Sequence, residues 1–310
     1  MLATLAQTDP EGALESIDAM DLSWGQKSGW HNEVFGRLAA VDPAQAAALL
    51  ETTPKVTPSD YRAVGKAYAK RDPHAAIFWA GSLEPGQGDG RLIPDILWEV
   101  SKSDVSLALE FAQGLDPGTE RLRSFSSIVS KWVREDLEGA LSYAAENLTD
   151  AGSAFKPLGH AAGRQLEAAQ IRDWAEKLGG PVAANTFLAS AALAKSRTDP
   201  AAALALAEAL PDGIQKAAAY QRLGSALPHE TAANWIEALP PSLSRDAAVG
   251  TFSTALAEED AAKATRLAAG IEDDYYRTEV LDTNFKEWLG KDPVGAEAWA
   301  RENPDLRLSR

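Results

Sequence analysis

One phrase returns ten times along this chain, and it restricts the possible fold more than any other feature. Asp72-Pro73-His74-Ala75-Ala76-Ile77-Phe78-Trp79-Ala80-Gly81-Ser82-Leu83 stands beside Asp292-Pro293-Val294-Gly295-Ala296-Glu297-Ala298-Trp299-Ala300. The anchors are Asp9, Asp42, Asp72, Asp104, Asp136, Glu167, Asp199, Pro228, Asp260 and Asp292, spaced 29 to 33 residues apart with a mean of about 31.4. Self-similarity at a fixed period of roughly 20–50 residues is the mark of stacked repeats.

Each position of the phrase has a physical reason. Asp, the anchor in eight of ten copies, can accept from the free N–H groups of a helix's first turn. Pro follows in five copies, where its fixed φ suits the first helical position and its missing N–H costs nothing. Ala lies four residues past the anchor in nine copies and eight past it in seven. Seven past it the residue is large and apolar in nine copies and aromatic in six: Trp79, Phe111, Tyr143, Trp174, Trp235 and Trp299. These offsets share one helical face. Small residues there let a neighbouring helix close in, and the bulky one fills the gap beside them. Helix-stop signals follow, as in Leu83-Glu84-Pro85-Gly86, Leu115-Asp116-Pro117-Gly118 and Leu210-Pro211-Asp212-Gly213.

Between stop and next anchor lies a second helical pattern, exemplified by Leu122, Phe125, Ile128, Val129 and Trp132. A helix pair cannot bury its apolar stripe alone, but stacked pairs can. The pattern therefore predicts an all-α fold: an α-solenoid of about ten helix pairs, period about 31–32 residues, in a single domain over residues 1–310. Alanine supplies 59 of the 310 residues, which favours helix throughout. Two departures qualify the pattern. Only eight residues precede Asp9, and Leu2 and Leu5 fit the last turns of a helix, so an incomplete first unit is expected. The sixth unit, residues 150–180, lacks the Asp anchor and has Ile171 in place of Ala, which predicts a local change of stacking near Glu167.

On these residues the chain resembles the tetratricopeptide, Sel1-like and HEAT families of α-solenoids. The phrase Asp-Pro-x-x-Ala-x-x-Trp-Ala-x-x-Leu-Pro is similar to Ala/Trp-rich helical repeats of large, often exported, bacterial proteins. The resemblance covers essentially the whole chain and implies the fold. It brings over no site residue, because such families vary their binding surfaces freely.

Charge narrows the function. With 30 Lys plus Arg against 45 Asp plus Glu the formal net charge is −15. That excludes nucleic acid as an expected partner, since basic groups must replace the counterions around phosphates, and it argues against anionic membrane surfaces. No run of eighteen apolar residues suggests membrane insertion, and the opening residues lack the basic and apolar regions of a signal peptide. The absence of Cys removes disulfides, thiol nucleophiles and Cys-ligated metals, and leaves the compartment open.

Catalytic chemistry has little to build on. His31, His74, His160 and His229 form no metal-binding spacing. Gly86-Gln87-Gly88-Asp89-Gly90 lacks the preceding strand and the Gly-Lys-Ser/Thr of a phosphate loop and reads as an inter-helix loop. Acidic clusters such as Glu258-Glu259-Asp260 arise from the anchors themselves. No enzyme, cofactor or metal is expected.

Four candidate binding features remain. Arg91, Arg121, Arg245 and Arg277 open intervening helices, where the helix dipole disfavours a cation. They read either as pairs with acids of adjoining repeats or as a guanidinium ladder for carboxylates or phosphates. Tyr275 and Tyr276 beside Asp273 and Asp274 suit a Lys or Arg side chain, unless they form only a solvated loop. Trp30 and His31, with Trp24, lie in an atypical linker that could stack a ligand or cap an exposed core. The expected partner is thus a protein or peptide, basic in character, on the acidic extended surface of a non-enzymatic scaffold; the alternative is a structural spacer or regulatory segment of a longer exported protein.

Overall fold

The computed structural model describes residues 5–6, 8–84, 87–148, 152–306 and 308; Leu2, Pro85 and Gly86, named above, lie outside them. Among the described residues there are nineteen α-helices and no strand. Ten are anchored helices: α1 (Pro10–Ala19), α3 (Pro43–Thr52), α5 (Pro73–Ser82), α7 (Val105–Gly114), α9 (Leu137–Asn147), α11 (Ala168–Lys177), α13 (Pro200–Glu208), α15 (His229–Ala238), α17 (Ala261–Ala269) and α19 (Pro293–Glu302). Nine alternate with them: α2 (Trp24–Val41), α4 (Pro58–Arg71), α6 (Leu92–Val100), α8 (Thr119–Trp132), α10 (Phe155–Gln165), α12 (Pro181–Lys195), α14 (Ile214–Ala226), α16 (Leu243–Leu256) and α18 (Asp274–Lys291).

Every anchor stands immediately before a helix, and the eight Asp anchors cap it in one way. Their Oδ1 atoms accept from the amide three residues on at 2.8–3.0 Å, a bond typically worth about 1 kcal/mol. At Glu167 the roles shift, and its amide donates to Gln170 Oε1 at 3.0 Å. Asp42, Asp72 and Asp292 also end the preceding helix, donating their amides to the Leu38, Tyr68 and Trp288 carbonyls at 2.7–2.8 Å. One residue thus closes one helix and opens the next.

Four past each anchor, Ala13, Ala46, Ala76, Ala108, Ala140, Ile171, Ala203, Ala232, Ala264 and Ala296 are all 0% exposed. Such complete burial at a small side chain marks the line along which neighbouring helices meet. Of the aromatics seven past the anchor, Trp79 and Trp235 are buried, while Phe111, Tyr143, Trp174 and Trp299 are half-buried. Trp79 stacks with Tyr61 at 6.5 Å and 13°, and Trp235 meets Tyr220 edge-on at 4.8 Å.

The chain gathers into two compact units: residues 1–140 with 151–154, and residues 141–150 with 155–310. In the first, α2 touches α4, α4 touches α6 and α6 touches α8, with α3, α5 and α7 each packed on the intervening helices before and after. In the second, α10, α12, α14, α16 and α18 touch in the same order, and α11, α13, α15 and α17 bridge them. The second unit contains closer approaches. A Cβ on Gly159 of α10 would lie 2.2 Å from the Phe187 carbonyl oxygen of α12, and one on Gly163 would lie 2.4 Å from that of Ala191. Gly224 of α14 meets the Ala248 carbonyl of α16 in the same way, at 2.6 Å. Thr251 adds a bond across that pair, its hydroxyl donating to the Gln221 carbonyl at 2.6 Å. The atypical sixth unit is therefore where α10 and α12 come backbone to backbone.

The segment around Trp24 to His31 is not a linker. It forms the first two turns of α2, opened by Ser23, whose amide donates to Gln26 Oε1 at 3.0 Å. Two Gly residues obscured the pattern, and the pairing of Ser23 with Gln26 is the start signal that outweighs them.

Two candidate clefts, one in each unit

The start of α18 is built by a buried carboxylate. Asp246, in the first turn of α16, is almost wholly buried, and its Oδ2 accepts from the amides of Glu272 and Asp273 at 3.1 Å each. This fixes the turn before α18. Asp273 then caps the helix, accepting from the Tyr276 amide at 2.7 Å. Successive residues on a helix point about 100° apart, so Tyr275 and Tyr276 part company. Tyr276 turns inward against Gly250 of α16, where burial, and then Glu279 and Asp246, push its hydroxyl above the ordinary value of 10.0. Tyr275 turns outward.

Tyr275 stands at a cleft of about 630 Å³ lined also by Asp274, Arg277, Thr278, Glu279, Leu281, Asp305 and Leu306. The guanidinium of Arg277 pairs with Asp274 and donates to the Ile271 carbonyl at 2.9 Å, so this cation is held by its own turn. First-turn acids such as Asp273 and Asp274 complement the helix dipole. Glu279, in the second turn of α18, and Asp305, past the end of α19, have no ion-pair partner among the described residues. An aromatic face beside carboxylates is the chemistry that receives an ammonium or guanidinium group.

A second cleft, of about 730 Å³, lies within the first unit. Glu84, Asp89, Asp116 and Glu120 rim it, and Ala80, Leu83, Leu92 and Ile93 form its apolar side. The glycine loop contributes Gly88 and Gly90, with Gly88 at φ 82°, a left-handed conformation that favours Gly. Asp89 lies 4.0 Å from Arg62, and Arg123 donates to the Gly90 carbonyl at 3.3 Å.

The four arginines do not share one role. Arg245 donates to the Gly270 carbonyl at 3.0 Å, at the end of α17, and lies 3.8 Å from Asp246; Arg277 behaves as described. Arg121 lies over the Phe125 ring at 5.7 Å, and Arg91 is exposed, with its amide donating to Asp89 Oδ1 at 3.1 Å. Two of them thus hold turn carbonyls. Cations near helix ends do the same: Lys291 reaches the Ala257 and Glu258 carbonyls at 2.9 and 2.7 Å, and Arg71 reaches that of Ala40 at 3.4 Å. For the four arginines the sequence offered acids of adjoining repeats or a guanidinium ladder; Arg245 and Arg277 instead lie by acids of their own helices and by turn carbonyls, which carry no sequence signature.

Trp30, His31 and Trp24 do not share one face. Trp24 and Trp30, six residues apart on α2, lie about 120° apart around its axis, and both are exposed. His31 is buried, with Nε2 3.1 Å from Asp18 Oδ1. Glu279, Asp305 and the acids of the first-unit cleft were missed in the sequence because nothing local distinguishes them from other surface acids. Among the described residues no helix is long and apolar enough to cross a membrane, and no group of three or more His, Asp or Glu could hold a metal ion. No protein-family model, curated protein or solved structure matches the chain.

Proposed function

We propose that the chain is a non-enzymatic binding scaffold: an α-solenoid of helix pairs, tetratricopeptide-like in plan, whose acidic surface takes a basic protein or peptide. The observation that carries this reading is the cleft at Tyr275, where Glu279 and Asp305 stand beside an exposed ring while Arg277 is held by Asp274 and the Ile271 carbonyl. The ordered pairing of each intervening helix with the next within each unit supports the solenoid. The net charge of −15 supports long-range attraction of a cationic partner.

The test is fluorescence anisotropy of a labelled lysine-rich peptide on the intact chain. Affinity is expected to fall about tenfold between about 50 and 300 mM salt, because screening shortens the reach of surface charges. The Glu279→Gln/Asp305→Asn double variant is expected to weaken binding about fivefold at low salt. Affinity indifferent to both changes would refute the reading.

A further inference from the structure

Four successive intervening helices of the second unit open with a large apolar side chain in water. Val182, Ile214, Leu243 and Tyr275 occupy the first or second position of α12, α14, α16 and α18, and they are 59%, 83%, 60% and 83% exposed. Single exposed apolar residues are ordinary. Four within the first two positions of helices that touch in order are not scattered, and clustered exposed apolar surface marks interaction sites.

The geometry explains how they form a row. Cα–Cβ bonds tilt toward a helix's N-terminus, so side chains in the first turn project off the helix end. The helix starts are brought together: Asp246, one turn into α16, accepts from the amide of Asp273, which caps α18. Thr251 and Gln221 bond at matching depths of α16 and α14. The first unit treats the same register differently. There Ser59 and Glu120 are polar at the starts of α4 and α8, and Leu92 of α6 is buried; only Trp24 of α2 is comparably exposed and apolar. The row is therefore not a by-product of the repeat.

We propose that Val182, Ile214, Leu243 and Tyr275 form a docking ridge for an extended basic segment of a partner protein. Helices pack about 8–10 Å apart, and a segment in the extended polyproline II conformation advances about 9 Å in three residues and returns every third side chain to the same face. Every third side chain of such a segment meets a successive helix end, and a Lys or Arg beyond the last one enters the cleft at Tyr275. Charge selects the same occupant. The cations of this edge are engaged, Lys216 with Asp212 at 3.0 Å and Arg245 with the Gly270 carbonyl at 3.0 Å, whereas Glu272, Glu279 and Asp305 have no ion pair among the described residues. This rests on the scaffold reading and specifies the surface and the partner it takes.

Two labelled peptides of about 14 residues test it: one with leucine at every third position, the period of a polyproline II segment, between terminal lysines, the other with those leucines replaced by serine. The leucine peptide is expected to bind at least about tenfold tighter. The Ile214→Ser/Leu243→Ser variant, altered only at exposed helix starts and checked for an unchanged melting curve, is expected to erase that difference. Equal binding of both peptides, with loss of both in Glu279→Gln/Asp305→Asn, overturns the ridge and leaves the acidic scaffold standing. Binding of neither overturns both. A concentration-dependent dimer that Ile214→Ser/Leu243→Ser abolishes assigns the ridge to a second copy and overturns the proposal.

Discussion

The two units solve the same packing problem with different contacts. In the first, Gly65 of α4 faces the Ile96 side chain of α6, where an added Cβ would lie 2.8 Å from Cδ1, and Gly36 of α2 has nothing closer than the Ala63 Cβ at 4.0 Å. In the second, Gly159, Gly163 and Gly224 lie against carbonyl oxygens of the next helix. A side chain can change rotamer to make room, but a carbonyl moves only with its helix. The lesson is that one repeat phrase can specify helix pairs while leaving the closeness of their stacking to a few interior glycines.

Substitution at these glycines is the strongest way to break the comparison. Gly159→Ala is expected to cost about 3 kcal/mol, since overpacking a rigid contact usually costs 1–3 kcal/mol and here two backbones must part. Gly65→Ala is expected to fall within about 1 kcal/mol of neutral, because Ile96 can turn and Ala is the better helix former by a similar amount. Urea denaturation of the two variants decides it. Equal losses would mean the contacts are equally yielding.

The buried carboxylates sharpen the contrast. Asp246→Ala strips two amides of their acceptor, whereas Asp60, in the first unit, accepts from the amide and hydroxyl of Thr57 alone, at 2.7 Å each. Asp246→Ala is expected to cost about 2 kcal/mol and Asp60→Ala about 1. Hydrogen exchange should accelerate at Glu272 and Asp273 only in the former.

The smallest effect is alkaline. The Tyr220 hydroxyl is pushed up to about 12, first by burial and then by Glu208 and Asp212. Below pH 10 both folded and unfolded chains keep this proton. Above it the unfolded chain loses the proton first, so stability declines as pH rises from about 10 toward 12. Tyr61, raised by burial and then Glu51, adds the same sign in the first unit. Tyr220→Phe should flatten the decline measured by melting temperature against pH; an unchanged slope would assign the loss elsewhere.

Much of the helical plan could be read from residues alone. The anchors mark helix starts because capping is local, needing only an Asp and the amide three residues on. The Ala positions read correctly as buried because a 3.6-residue period is visible in one dimension. What stayed illegible is what joins distant residues through backbone atoms: the carbonyls held by Arg245 and Lys291, and those met by Gly159 and Gly163. The spacing Gly159-x-x-x-Gly163 was the available signal, since small residues four apart line one helix face. Tyr275 and Tyr276 are neighbours in sequence, and only the capped turn shows that one packs on Gly250 and the other faces water.

The Asp corners carry a consequence for change over generations. Where Asp42, Asp72 or Asp292 both ends and begins a helix, no slack exists, and one inserted residue would sever a cap and shift every following side chain by about 100°. The opposite turns, such as residues 116–118 and 211–213, are exposed loop and can lengthen or be rewritten cheaply. Each repeat therefore has one margin that resists insertion and one that tolerates it. The clefts border this second margin, so editing the turns would change what lines them while the helices stay as they are.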